Sequence, residues 1–263
     1  ISNLYDKFIY VNILYYINTN LKKRLGTSGV SYLIWRIQKK LLIPRLSMNN
    51  WTNLHFSEVL DNSRLSILPL LKPLSDKGFY LAWGTALAIQ FWHRESVDFD
   101  FFTPDPIDTE KLFSDCNKLF LNNKIEKTFE SENTLYFLLN GVKISCMTYE
   151  YKCIDPYIYT PYFPMASIRD IWAMKLWAIQ NRATNKDYVD IAYISRVLPL
   201  SKLLWAFYEK FWPVVIESQL LKSLVYFVDI TEEPLIMQNT TDSFTKIKQE
   251  LELLVKKFMK SKI

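Results

Sequence analysis

The chain has 263 residues, 49% of them hydrophobic and 16% aromatic, with five glycines. That length suits one large domain or two modest ones with a sizeable core, and the composition excludes general disorder and collagenous or Gly-rich repeat architectures. The formal charge of +5 is unevenly placed: residues 1–47 hold eight Lys/Arg against one acid, Asp6, whereas residues 48–263 hold 24 basic and 26 acidic residues.

Residues 1–47 therefore form a basic N-terminal extension of uncertain status. A nucleic-acid or membrane-surface arm is one account. The other is a stretch lying upstream of the true start, because Met48 opens MNNWTNLHFSEVL, an ordinary-looking beginning. The apolar run FIYVNILYYI is too short to cross a bilayer and lacks the lead and cleavage site of a secretory signal, so no membrane association is expected. Residues 57–76 look helical. Phe79–Trp83 suits a short buried strand that Gly84 ends, and Thr85 suits the N-cap of a helix running to about Trp92. Val97–Phe102 alternates as a strand, with Val97, Phe99 and Phe101 inward. A helix over 108–122, capped at Asp108 or Thr109, precedes strands near 127–130 and 134–139. Asn140-Gly141 then makes a hairpin turn into a strand over 142–148.

The Pro- and Tyr-rich stretch from Cys153 to Pro164 is expected to be a loop. After it the chain turns helical, with segments over 168–182, 186–197, 202–212, 217–227 and 243–259. The expected organisation is a core over 48–160 and a helical C-terminal domain over 161–263, in the α+β class. Cys116, Cys146 and Cys153 are an odd number with no C-x-x-C pair, which points to a reduced, cytoplasmic protein. His55 and His93 stand too far apart in sequence to suggest a zinc site.

The chemistry concentrates in FYLAWGTALAIQFWHRESVDFDFF, residues 79–102. On a strand Asp98 and Asp100 share one face, and two carboxylates so close favour a hard divalent cation between them, Mg²⁺ or Mn²⁺. Gly84 and Thr85 at a strand-to-helix turn suit a phosphate, and Arg94 and Ser96 stand close enough in sequence to join it. Further on, IRDIWAMKLWAIQNRATNKDYVDIAYI places Lys175 and Arg182 two helical turns apart. Lys186 and Asp187 follow, with Asp190 one turn later. Ser167-x-x-Asp170 marks that helix's start.

Hydrophobic-Gly-Ser/Thr, about a dozen residues and then Asp-x-Asp resembles the signature of polymerase-β-type nucleotidyltransferases. The fuller segment resembles more narrowly the AbiEii/AbiGii-type toxin family, as do the Lys175–Asp190 segment and LLKSLVYFVDITEEP at 220–234. The likeness runs from about Met48 to the C-terminus. It implies a polymerase-β-type core with a mixed sheet flanked by helices, followed by a helical C-terminal domain. It also implies transfer of a nucleoside monophosphate from an NTP substrate to an acceptor hydroxyl. Related toxins are linked to the tRNA acceptor end, so tRNA is the expected acceptor and a cognate antitoxin the expected protein partner of a toxin–antitoxin or phage-defence pair. Asp98 and Asp100 would hold the metal. Gly84, Thr85, Arg94, Ser96 and Lys186 would bind nucleotide, Lys175 would hold the triphosphate and Asp187 would act as base.

Three departures stand out. Trp83 occupies the place of a usual glycine, Ser145 stands where many nucleotidyltransferases have a third carboxylate, and Val228-Asp229-Ile230 replaces a more acidic turn. They keep two alternatives open: transfer to a small molecule or protein, and a catalytically weak module that binds nucleotide or antitoxin.

Overall fold

A computed structural model describes residues 54–212 and 216–262, which belong to one compact unit. The basic extension over 1–47 lies outside the described residues. The first described segment is not one continuous helix. It is split into α1 (Phe56–Val59), α2 (Asn62–Ile67), a 3₁₀ turn over Leu68–Leu71 and α3 (Lys72–Asp76). Pro69 and Pro73 each fall at the start of a new piece, where the missing N–H removes no helical bond.

The sheet then begins with β1 (Tyr80–Leu81). It continues through β2 (Phe99–Thr103), β3 (Ile125–Ser131), β4 (Thr134–Leu139), β5 (Val142–Thr148), β6 (Ile158–Tyr159) and β7 (Pro164–Met165). Its order is β3-β4-β5-β2-β1-β7-β6. It is a mixed sheet: β2 runs parallel to β5 and β1 to β7, and the other neighbours are antiparallel. The β4–β5 hairpin closes at Asn140 and Gly141, both at positive φ as a two-residue turn of this hand requires. The stretch expected to be a loop over 153–164 contributes β6 and the start of β7, so the sheet extends past residue 160.

Helix α4 (Trp83–Phe91) joins β1 to β2, and α5 (Thr109–Leu119), capped by the Asp108 carboxylate, joins β2 to β3. The remaining helices are α6 (Ile168–Asn181), α7 (Asn185–Val197), α8 (Leu200–Phe211), α9 (Glu217–Ser223) and α10 (Phe244–Lys260). Ser167 caps α6 by accepting from the Asp170 N–H, and Ser243 caps α10 from the Lys246 N–H. Helix α6 is buried on nearly every side, Lys175 included. It packs against α4, α8 and α7, so strand half and helical half share one core.

Two further expectations shift. Val97 precedes β2 and is exposed, whereas Phe99 and Phe101 are fully buried. Thr85 is not an N-cap. The cap lies three residues earlier, at Ala82, whose side chain makes no capping bond, and the helix starts at Trp83.

Candidate active site

Asp98 immediately precedes β2 and Asp100 is its second residue, in the middle of the sheet, with the buried Phe99 between them. Asp100 lies opposite Ser145 on the parallel strand β5. Burial pushes the Asp100 carboxyl above its ordinary value and the neighbouring Asp98 adds to that. The Ser145 hydroxyl, Lys175 and Lys143 pull the other way. Lys143 Nζ lies 3.5 Å from the Asp98 carboxylate. Lys143 and Ser145 stand two apart on β5 and so share a face, which brings Lys143 to Asp98 and Ser145 opposite Asp100. That alternation was legible in VKISC, and it is the signal by which Lys143 could have been found.

The Gly84–Thr85 turn is tied directly to this strand. The Ala82 N–H donates to the Asp100 carbonyl at 3.1 Å. The Thr85 hydroxyl donates to the Asp98 carbonyl and lies 2.8 Å from Ser96 Oγ. Thr85 and Ser96 thus spend their hydroxyls on each other and on the strand that carries the carboxylates. The leading N–H groups of α4 remain without a helical or side-chain partner, which leaves donors free for an anion.

The structure also shows what occupies the space beside Gly84. A Cβ there would meet Arg94 Nη2 at 2.8 Å and Ser96 Oγ at 3.0 Å. Glycine is required at this point by the close approach of Arg94. Arg94, expected on phosphate, is instead buried and bidentate to Asp190, with Nε at 2.7 Å and Nη2 at 2.8 Å. His93 Nε2 lies 2.8 Å from the same carboxylate and Lys175 Nζ 2.9 Å from it. Burial alone would raise the Asp190 carboxyl, but Arg94, Lys175 and His93 outweigh it and hold it well below the usual carboxylate range. Likewise burial disfavours the Lys175 ammonium, yet Asp187 and Asp190 keep it above the ordinary lysine value.

Asp187 accepts from Lys175 Nζ at 2.7 Å and from the Thr184 hydroxyl at 2.9 Å, so both its oxygens are engaged. Lys186 points to the rim, 3.0 Å from Glu233. The structure therefore brings Asp98, Asp100, Gly84, Thr85, Ser96 and Lys175 into one neighbourhood. It joins Arg94 and Asp187 to that neighbourhood through buried ion pairs, and it leaves Lys186 apart. The hub at Asp190 and the contact of Arg182 with Trp83 escaped sequence reasoning, because both depend on side chains nearly a hundred residues apart in the chain.

Among the described residues no group of three or more His, Cys, Asp or Glu side chains is placed to hold a metal ion. Two adjacent carboxylates whose mutual repulsion a cation relieves, and which leave the rest of the shell to water and phosphate, still fit Mg²⁺ or Mn²⁺ chemistry.

A carboxylate pair at a central strand, a helix start lashed to it and a buried lysine beside it make up the candidate site. A family model described as nucleotidyl transferase AbiEii toxin, type IV toxin–antitoxin system, matches residues 145–257, which include Lys175, Asp187 and Asp190. An uncharacterized protein of Aquifex aeolicus (strain VF5) is 37% identical over 169 residues, covering 59% of this chain and 76% of its own. Two solved structures are similar at 14% identity. The nucleotidyltransferase toxin MenT4 of Mycobacterium tuberculosis has a TM-score of 0.47 and covers 73% of this chain and 82% of its own. JHP933 of Helicobacter pylori has a TM-score of 0.45 and covers 78% and 96%. The chain belongs to the AbiEii nucleotidyltransferase toxin family and is a nucleotidyltransferase.

Proposed function

We propose that this protein transfers a nucleoside monophosphate from an NTP to the terminal hydroxyl of a tRNA, in a divalent-metal-dependent reaction, as the toxin of a toxin–antitoxin pair neutralised by a cognate antitoxin. The observation that carries the chemistry is the joining of Asp98 and Asp100 to the Gly84–Thr85 helix start, with Lys175 close enough to act on the Asp100 carboxyl.

In the reaction the acceptor oxygen bonds to the α-phosphorus, the bond to the oxygen bridging to the β-phosphorus breaks, pyrophosphate leaves and the hydroxyl proton passes to solvent water. Asp98 and Asp100 would hold Mg²⁺ or Mn²⁺, which when bound neutralises charge on the attacking and leaving oxygens. The free N–H groups at the start of α4 and the Lys175 ammonium orient and neutralise the triphosphate. Asp187 and Asp190 hold Lys175 extended and charged. With both oxygens of Asp187 taken, we assign it to positioning Lys175 in place of the base role expected from sequence. Arg94 acts at one remove, as the support behind Gly84. Lys143 screens Asp98.

The protein incubated with each labelled NTP, Mg²⁺ and total tRNA tests this, with Asp98→Ala as control. Label in tRNA that vanishes in the variant supports the proposal. Pyrophosphate release without labelled tRNA shifts the acceptor to a small molecule or a protein. Nucleotide binding without turnover shows that Ser145, in place of a third carboxylate, leaves a binding module.

A further inference from the structure

Trp83 combines two features that packing alone does not require. Its φ is +60°, a left-handed backbone that costs a bulky residue energy and persists only where the surroundings impose it. Its indole is the meeting point of three side chains. The Phe102 ring lies 5.4 Å away between centroids. The Arg182 guanidinium carbon stands 4.9 Å from the indole centroid and Lys175 Nζ 5.5 Å from it.

Lys175 is anchored by Asp187 and Asp190. Among the described residues Arg182 makes no ion pair with a carboxylate, and its guanidinium rests on the Trp83 ring. It also lines a cavity of about 550 Å³ whose walls include Lys222, Tyr226 and Asp229. The guanidinium therefore has room to withdraw.

We infer that Trp83 and Arg182 form a stacking clamp for the nucleobase of the bound NTP. The inference rests on the proposed nucleotide transfer and names the subsite for the base. The indole touches two chemistries: Lys175, which acts on the Asp100 carboxyl, marks the phosphate end, and Arg182, which lines the cavity, marks the open end. A base entering between indole and guanidinium needs roughly 7 Å between them, two contact distances, which retreat of Arg182 into the cavity supplies. Indole faces stack on any base, and a planar guanidinium stacks on the opposite face where a lysine would not. Purines, with the larger ring system, are expected to be held more tightly than pyrimidines.

The test is equilibrium binding of ATP and of inorganic tripolyphosphate, each with Mg²⁺, to the full-length wild type, Trp83→Gly and Trp83→Phe. Glycine suits the positive φ, so loss of folding does not confound the first variant. The clamp predicts that Trp83→Gly weakens ATP on the order of 10-fold or more. It also predicts that tripolyphosphate binding is unchanged and that Trp83→Phe restores most of the ATP affinity. Equal ATP affinity in wild type and Trp83→Gly overturns the clamp and leaves nucleotide transfer standing. So does equal weakening of both ligands. A wild type that binds neither ATP nor tripolyphosphate overturns the proposed function, and the clamp with it.

Discussion

Gly84 lies against Arg94, and Arg94 is pinned by Asp190 through two hydrogen bonds. A methyl group at 84 would therefore push on a guanidinium that is not free to move. Gly84→Ala is expected to destabilise the protein by about 1–3 kcal/mol, read as a lowered denaturation midpoint at unchanged slope. The carboxylates behave in the opposite way. Asp100 is held above its ordinary value by burial and by Asp98, so its charge opposes folding in the absence of a cation. Asp100→Asn should keep or slightly raise the melting temperature while lowering transfer by on the order of 10²–10³-fold or more, measured by labelled-nucleotide incorporation. A variant that melts early and loses activity in proportion would show the carboxylate to be structural.

The helices of the second half are fastened by buried polar pairs as well as by apolar faces. Asp170 near the start of α6 receives Lys210 Nζ from α8 at 2.8 Å, with both side chains fully buried. It also accepts the Ile154 and Asp155 N–H groups, which dock the segment before β6 onto α6. Removing one partner leaves the other charge uncompensated inside the protein. Lys210→Ala is expected to cost about 3–5 kcal/mol in urea or thermal unfolding. The exposed pair Lys262–Glu217 should contribute about 0–1 kcal/mol. The segment after α9 works as a strap. Its Ile236 carbonyl accepts from the Glu95 N–H, and its Gln238 N–H donates to the His93 carbonyl at 2.9 Å. Asn185, at the start of α7, bonds to the Glu233 backbone in both directions. Residues 236–238, just past the third motif, therefore hold in place the loop that carries His93 and Arg94, while Glu233 within the motif is fastened to α7.

At the scale of the molecule, Asp190 is one of the points at which the strand half and the helical half are joined, since His93, Arg94 and Lys175 all end on it. Arg94 and Lys175 balance Asp187 and Asp190, so the cluster is neutral only while His93 is uncharged. Burial holds the His93 imidazole below its ordinary value of 6.5, and the Arg94 and Lys175 charges reinforce this against the pull of Asp190. Below about pH 6.5 the unfolded chain takes up a proton there that the folded chain refuses. The unfolded state then binds more protons, so stability rises with pH through this window and is lost as pH falls. The expected loss is about 1.4 kcal/mol per pH unit below 6.5, seen as a falling melting temperature between pH 7 and 5.5. His93→Gln should flatten that dependence, and a wild type whose melting temperature does not change over the range would show that His93 is not buried neutral. No helix among the described residues is long and apolar enough to cross a membrane.

The sequence by itself determined the α+β order of elements, a strand through Asp100, the Asn140-Gly141 hairpin and the helices around Lys175, because each depends on a periodicity or turn chemistry confined to a few neighbouring residues. Only the tertiary structure decided that Arg94 supports Gly84, that Asp187 is fully engaged, that Thr85 ties the turn to β2 and that Arg182 rests on Trp83. Apart from the local Thr184–Asp187 bond, those contacts join residues 10 to 99 positions apart in the chain, where a charged or polar residue that local pattern leaves free for a ligand is taken by a partner brought to it through packing.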